Sequence, residues 1–532
     1  MAATPKTAVE TPHASLEHYE HSSARRWIIA FSVMLGTILE VLDSSIVNVS
    51  LPHMQGSFSA SVDEIAWVVT SYLVAAGIMI PMTGWIAERF GRKRYFMASV
   101  TMFVGSSALC GIAQSLNQIV LFRLLQGAAG AAMMPISQAV LMETFPPREQ
   151  MMAMAVWGIG MMVAPIMGPT IGGYITDAWS WRWNFYINVP IGTLGIFMAY
   201  RFLEDPPYMK VLRKGGGIDW VGILCLVVSL GVGEIVLERG ERSDWFQAPW
   251  VCWSTLLALS ALATLIWNEL RVKDPIVDMS ILADMRFTLP VTLVIFLTFT
   301  LYGTGILNPI FMQELLGYTA SKAGVVMAPR GFGTMFSMLL LGSIARRGFD
   351  TRILIAVGFA MVAGAMWRMS GLTLQSDTFH IIVPTVMQGI GTGLVFPGLS
   401  AAALSSMHRQ KMGRAASLYS VTRNLGAAIG TSYLTTLLIR RQQVNQSYLT
   451  ERVSAFTLSR MRMPGGGASI AQQMLGGHRE GLAMIYGLVQ RQAMMLSFND
   501  IYRMLAVLMV LMVPTFMFLQ RDRRNLPAHA VE

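Results

Sequence analysis

Charge is what this sequence has least of. Asp, Glu, Lys and Arg make up 13% of its 532 residues, against about 25% in soluble globular domains, while 54% are hydrophobic and the mean hydropathy is +0.51. That balance excludes a soluble fold. Cysteine is nearly absent: Cys110, Cys225 and Cys252 each lie inside an apolar run, so neither a disulfide framework nor a spaced metal cluster can be built from them. No Gly-Lys dipeptide occurs, which removes the P-loop and with it an ATP-driven motor. His-Glu-x-x-His and Gly-x-Ser-x-Gly are also missing, so the commonest membrane hydrolase signatures are absent and no enzyme is expected. Energy for any work must then come from an ion gradient, with no organic cofactor and no metal. The net charge of +10 is spread in short clusters between apolar runs, which reads as membrane topology and not as a nucleic-acid surface.

What is present is apolar sequence in blocks long enough to cross a bilayer at about 20 residues each. A window of about 19 residues finds them centred near Gly36, Ala75, Val104, Ala131, Val163, Gly195, Val228 and Leu259. A second set centres near Leu297, Phe336, Val362, Gly391, Thr431 and Met509. The expectation is an all-α polytopic membrane protein of 14 transmembrane helices with both termini in the cytoplasm. Most of the 40 Lys and Arg fall on the N-terminal side of the membrane, including Arg25, Arg26, Arg89, Arg92, Lys93, Arg94, Arg352, Arg409, Lys411 and Arg414, which makes that side the inner one. Segments 1–26 and 520–532 are expected to be cytoplasmic tails. The first has His13, His18 and His21 but no apolar core or cleavage site of a signal peptide. Segment 440–499 is expected to be a long periplasmic loop, broken at Pro464-Gly465-Gly466-Gly467 and Gly476-Gly477. Its halves suit helices standing out of the membrane, a floppy loop being the alternative.

The chain also repeats itself. Gly84-Trp-Ile-Ala-Glu-Arg has an echo at Gly342-Ser-Ile-Ala-Arg-Arg, offset 258; Gln126-Gly127 matches Gln388-Gly389, offset 262; Gly168 and Gly172 match Gly426 and Gly430, offset 258. Duplicated halves of six spans place a transport site between them near the bilayer midplane. The expected units are therefore a six-helix bundle over 27–203, a linker with two inserted helices over 204–288, and a second six-helix bundle over 289–519. A channel built from a duplicated bundle is the alternative.

Ionisable groups at membrane depth are expensive and mark function. Asp43 and Glu40 stand at i, i+3 on the first span, followed by Asn48, a spacing that places both carboxylates on one face and makes a proton site. A purely structural ion pair of Asp43 with an arginine is the alternative. Arg123 is the one deep basic residue of the first half; it cannot release its proton but can hold a carboxylate ionised, so protonation of that carboxylate would act as a switch. Thr385 stands at the equivalent place of the second half. Gly84, Glu88, Arg89, Gly91 and Arg92 form a tight basic turn suited to gating. Pro165, Gly168, Pro169, Gly172 and Gly173 allow close helix packing with a fixed bend. Gln126, Asn48, Tyr302, Asn308, Gln388 and Arg423 are the polar candidates for a substrate cavity. Among the 40 Met, doublets such as Met133-Met134, Met151-Met152 and Met161-Met162 suit an adaptable binding surface or plain core.

These motifs resemble the major facilitator superfamily, and within it the fourteen-span drug:proton antiporters of the EmrB/QacA type. Leu42-Asp43-Ser-Ser-Ile-Val-Asn48-Val-Ser-Leu-Pro52 is similar to that subfamily's first-span signature. Gly84–Arg94 is similar to the superfamily's loop between spans two and three, with Glu88 where Asp is usual. Arg123-Leu-Leu-Gln126-Gly127 resembles the fourth-span motif of proton coupling, and Gly168-Pro169-x-x-Gly172-Gly173 the fifth-span antiporter motif. Trp181–Gly192 also resembles the drug-antiporter pattern. The resemblance implies two six-helix bundles rocking about a central cavity in a bacterial inner membrane. It implies proton-coupled efflux of small hydrophobic or amphipathic compounds, with antibiotic resistance as the consequence. Glu40 and the long outside loop resemble the Gram-negative branch, which works with a periplasmic adaptor (membrane fusion protein) and an outer-membrane channel as a tripartite pump. An exporter of one endogenous metabolite or siderophore, and a non-transporting scaffold or receptor, are the competing readings.

Overall fold

The computed structural model describes residues 22–206, 219–272, 274–346, 350–452 and 479–519. Among them every regular element is a helix, as it must be where lipid offers the backbone no hydrogen bonds. The first half holds α1 (Ser23–Phe58), α2 (Trp67–Met79), α3 (Thr83–Phe90), α4 (Arg92–Ile112), α5 (Leu116–Gly130), α6 (Met133–Thr144), α7 (Pro147–Ala178) and α8 (Asn188–Phe202). Then come α9 (Trp220–Arg239) and α10 (Pro249–Glu269). The second half holds α11 (Met285–Ile310), α12 (Ala320–Arg346), α13 (Thr351–Met369), α14 (Thr378–Ser405), α15 (Met412–Arg452) and α16 (Arg479–Met512).

Thirteen of the fourteen expected centres fall on helices, and Ala131 falls in the short turn between α5 and α6. Eleven helical segments are long and apolar enough to cross a membrane, or up to 12 if the pair Asp63–Met79 and Thr83–Phe90, bent by 59°, counts as one. The two that fall short have local reasons. The sixth is broken at Ile187 into Trp183–Tyr186 and α8, only 15 residues long, and α15 is polar for much of its 41 residues. Helix α15 carries the expected outside loop up to Arg452 and α16 resumes at Arg479; the centre of that loop, residues 1–21 of the expected first tail, the C-terminal tail and most of the first linker lie outside the described residues, while residues 23–26 of that first tail already belong to α1. The three cysteines are unpaired, and no metal-binding cluster exists among the described residues.

The repeat is visible as repeated packing. A Cβ on Gly127 of α5 would strike the carbonyl oxygen of Tyr72 on α2, and a Cβ on Gly389 of α14 would strike that of Arg330 on α12. Gly168 and Gly172 of α7 lie on Ser45 and Ile46 of α1; Gly426 and Gly430 of α15 lie on Ile295, Thr298 and Phe299 of α11. Equivalent glycines thus admit equivalent neighbours, the close backbone approach that small residues permit in membranes. Gly389→Ala is expected to lower the stability of the detergent-purified protein by about 1–3 kcal/mol through overpacking. Gly105→Ala, where the added methyl meets nothing, should leave thermal unfolding unchanged.

Helices α9 and α10 stand outside the repeat and α9 touches both halves. Arg239 donates to the Asp63 carbonyl (3.1 Å) and stacks over Trp67 of α2, while the Leu237 carbonyl accepts from Ser432 of α15 (2.8 Å) and Trp245 donates to Thr436 (2.9 Å). The strand of chain leaving α10 runs to the end of the molecule that carries Arg89–Arg94, here termed the basic end. There Asp278 meets Lys411 at 2.8 Å. Burial alone would raise the Asp278 carboxyl, but Lys411 and Ser280 outweigh it and hold it below the usual carboxylate range.

Candidate functional site

The first site is a buried knot of charge in the first half. Asp43 on α1 is 0% exposed and Arg123 on α5 is 1% exposed. They face each other because Gly127 lets α5 close on α2, and Gly168 and Gly172 let α7 close on α1. One Arg123 guanidinium nitrogen donates to Asp43 Oδ2 at 2.6 Å and to Gln126 Oε1 at 2.9 Å, and Arg123 Nε donates to the Val68 carbonyl at 3.1 Å. The Tyr72 ring covers the guanidinium at 4.2 Å. Asp43 Oδ1 accepts from Gln126 at 2.9 Å and from Asn188 at 2.6 Å. Three donors, from Arg123, Gln126 and Asn188, converge on this carboxylate.

Asn188 and Asn184 were legible only as part of the Trp181–Gly192 pattern, yet they anchor the site. Asn188 also donates to Ser107 on α4 (2.9 Å), and Asn184 ties Ser50 of α1 (2.5 Å) to Thr176 (2.7 Å) and the Gly172 carbonyl (3.2 Å) of α7. The signal for them was two amides at i, i+4 ahead of an apolar run. Helix α7 runs unbroken through Pro165 and Pro169, and Gly173 approaches only Val49.

Glu40 shares α1 with Asp43 but joins no hydrogen bond with it. Its Oε2 is buried without a partner among the described residues, and the charges nearest it are Arg423 of α15 and Asp43. Arg423 is buried between the halves, donating to Asn424 Oδ1 (3.1 Å) and touching the Met134 sulfur. The methionine doublets divide between core and seam: Met133 lies against Gly36 of α1, whereas Met134 meets Arg423 and Met152 meets Gly342. Asn48 and Tyr302 are exposed, and Gln388 donates to Thr304 (2.8 Å) on α11, the second-half counterpart of Gln126 reaching α1. Thr385 bonds only to backbone carbonyls, and among the described residues the second half shows no equivalent of the Asp43–Arg123 pair at that place. Asn308 accepts from Tyr502 (2.7 Å).

The second site closes the basic end. Gly91 takes φ +95, a conformation that favours glycine, so that α3 and α4 meet in a sharp corner. Arg92 grips Glu143 of α6 with two bonds of 2.8 Å inside the first half, and Arg89 lies over Trp85. Glu88 reaches across to the second half, where Arg414 at the start of α15 donates to it at 2.7 and 2.8 Å and to Asp274 at 2.9 Å. A Cβ on Gly84 would come within 2.7 Å of the Arg414 backbone, and one on Gly342 would strike Met152. The two repeat-related glycines therefore seal the same end from opposite halves. Above them Gly158 meets Met338, and Trp157 stacks on Phe396 at 6.4 Å. Arg414, drawn from far along the chain, could not be paired with Glu88 from spacing alone.

The profile of the Major Facilitator Superfamily matches residues 33–431. The chain belongs to this superfamily. Among superfamily relatives, Multidrug export protein EmrB of Escherichia coli (strain K12) is 35% identical over 90% of this chain and 92% of its own. Probable multidrug resistance protein EmrY of the same organism is 31% identical over 91% and 94%. Among solved superfamily structures, the proton:xylose symporter XylE superposes with a TM-score of 0.62 at 12% identity, covering 94% of this chain and 97% of that one. The protein is accordingly a multi-pass membrane transporter of the major facilitator fold.

Proposed function

We propose that this chain is a proton-driven exporter of hydrophobic or amphipathic toxic compounds, a multidrug efflux antiporter of a bacterial inner membrane that works by rocking of two six-helix bundles. The observation that carries the reading is the Asp43–Arg123 pair, a charge buried at 0% exposure in a transporter whose second half has no counterpart to it among the described residues. The relatives named for multidrug export and multidrug resistance support the substrate class. The positive-inside bias makes the basic end cytoplasmic, with fourteen spans and both termini on that side. In the arrangement described, contacts of Glu88 with Arg414 and of Gly342 with Met152 then close the cytoplasmic entrance.

In this scheme a proton arriving from the periplasm neutralises Asp43, a donor–acceptor contact with Arg123, Gln126 or Asn188 is lost, and α1 is freed to shift against α5. Such coupling needs only that the two conformations bind the proton differently. H+ is the coupling ion and no cofactor is required. A periplasmic adaptor and an outer-membrane channel complete the pump, and the chain itself performs no catalysis.

The test reconstitutes the purified protein in proteoliposomes, imposes a pH gradient and follows ethidium. Gradient-dependent accumulation that collapses with an uncoupler is the expected outcome. Ethidium movement indifferent to the gradient would refute proton drive, and no movement of any lipophilic compound would refute export.

A further inference from the structure

Helices α6 and α15 pack on each other across the seam between the two halves and run in opposite directions. Glu143 near the end of α6 and Arg414 near the start of α15 both lie at the basic end. The contact of Met134 with Arg423 sets their register. One turn nearer the basic end stand Gln138 on α6 and Tyr419 and Ser420 on α15, because residues three and four apart share a helix face. These three form a layer between Arg423 and the Glu88–Arg414 contact, about 8 Å from the latter at 1.5 Å per residue.

Each of the three is 0% exposed. Gln138 Nε2 and Oε1, the Tyr419 hydroxyl and Ser420 Oγ all lack a hydrogen-bond partner among the described residues, as does Arg423 Nε. The polar neighbours of Tyr419 are Ser400 of α14 and Arg423. Buried polar groups are almost always paired, and a side-chain amide with neither end paired is costly. Ser137, beside Gln138 but turned toward α1, is fully paired, donating to the Val33 and Met133 carbonyls at 2.8 and 2.6 Å. The unmade bonds are thus confined to the face of α6 on the seam. Opening the basic end parts α6 from α15 and lets these groups reach solvent, so their cost falls on the closed state alone.

We propose that Gln138, with Tyr419 and Ser420 opposite it, is a conformational device: an unpaired polar layer that destabilises the closed basic end and keeps the seam poised to open. It opposes the Glu88–Arg414 contact and the apolar packing that hold the end shut. It brings the two states close enough in free energy for one bound proton to shift the balance. The layer goes beyond the export reading and does not depend on it, because closure is measurable with no substrate and no gradient. The alternative, buried water linking the three groups, pairs them in the closed state and creates no such bias.

Gln138→Met keeps the length and volume of the side chain and removes both unpaired ends. The reporter is Ser417→Cys in an otherwise cysteine-free protein, at a position buried at 1% exposure three residues from Ser420. Its initial rate of reaction with a membrane-impermeant maleimide applied from the basic side should fall by about tenfold in Gln138→Met, and thermal unfolding should move to higher temperature. Ser420→Ala should shift both in the same direction by less. An unchanged or faster reaction in Gln138→Met would overturn the proposal. So would a Gln138→Met protein that folds less stably than its parent, the result expected if water pairs the layer. Failure of wild type to transport ethidium, with the slowing intact, would count against export and not against the layer.

Discussion

Asp43→Asn is expected to cut gradient-driven ethidium transport by about 100-fold or more while the protein still folds; Asp43→Ala is expected to lose both transport and about 3–5 kcal/mol of stability. The difference lies in what each leaves behind. Alanine strands Arg123 as a buried charge without its partner, the costly way to break such a pair. Asparagine keeps one acceptor for Arg123, and its amide can be received by Asn188, whose Oδ1 has no partner and can turn toward it. Arg123 also retains the Val68 carbonyl, Gln126 and the Tyr72 ring. What asparagine cannot do is exchange a proton. Transport measured in proteoliposomes should fall by about 100-fold or more, which corresponds to losing about 3 kcal/mol of differential stabilisation. A thermal unfolding curve near that of wild type would accompany it.

Gly84→Val leaves the basic end open. Its Cβ would lie 2.7 Å from Arg414 Cα and 2.8 Å from its amide nitrogen, and backbone cannot step aside as the tip of a flexible side chain can. Overpacking at about 1–3 kcal/mol is charged only to the closed state, because only there does α3 meet the start of α15. The closed-to-open ratio should fall by about tenfold. Ser417, buried at 1% exposure near that start, reports the change. With the native cysteines replaced, a Ser417→Cys protein should resist a membrane-impermeant maleimide applied from the basic side. Adding Gly84→Val should make it react. Equal protection in both would show that the glycine contact does not govern closure.

Much of this was readable from residue type and spacing. Asp43 and Arg123 declare themselves because lipid makes a buried charge too expensive to carry without use, and the repeat declares itself because glycines at one offset must admit equivalent helices; Gln126, expected in a substrate cavity, instead bridges Arg123 and Asp43. Glu40 shows the limit of that reasoning. Its i, i+3 spacing from Asp43 places both on one face of α1, but the structure gives Asp43's oxygens to Arg123, Gln126 and Asn188, and leaves Glu40 nearer Arg423 of the other half. Pairing across halves, as for Glu88 with Arg414, depends on how two bundles dock and has no signature in local spacing.

The measurement that bears most directly on the central claim is proton release on substrate binding. Purified protein in a weakly buffered solution with a pH-indicator dye is mixed with ethidium. If Asp43 carries the coupled proton, wild type acidified until Asp43 is protonated releases protons as the substrate binds, and Asp43→Asn, still binding ethidium, releases none. Release of the same amount by Asp43→Asn, together with its loss in Glu40→Gln, would contradict the account and move the proton to the carboxylate beside Arg423.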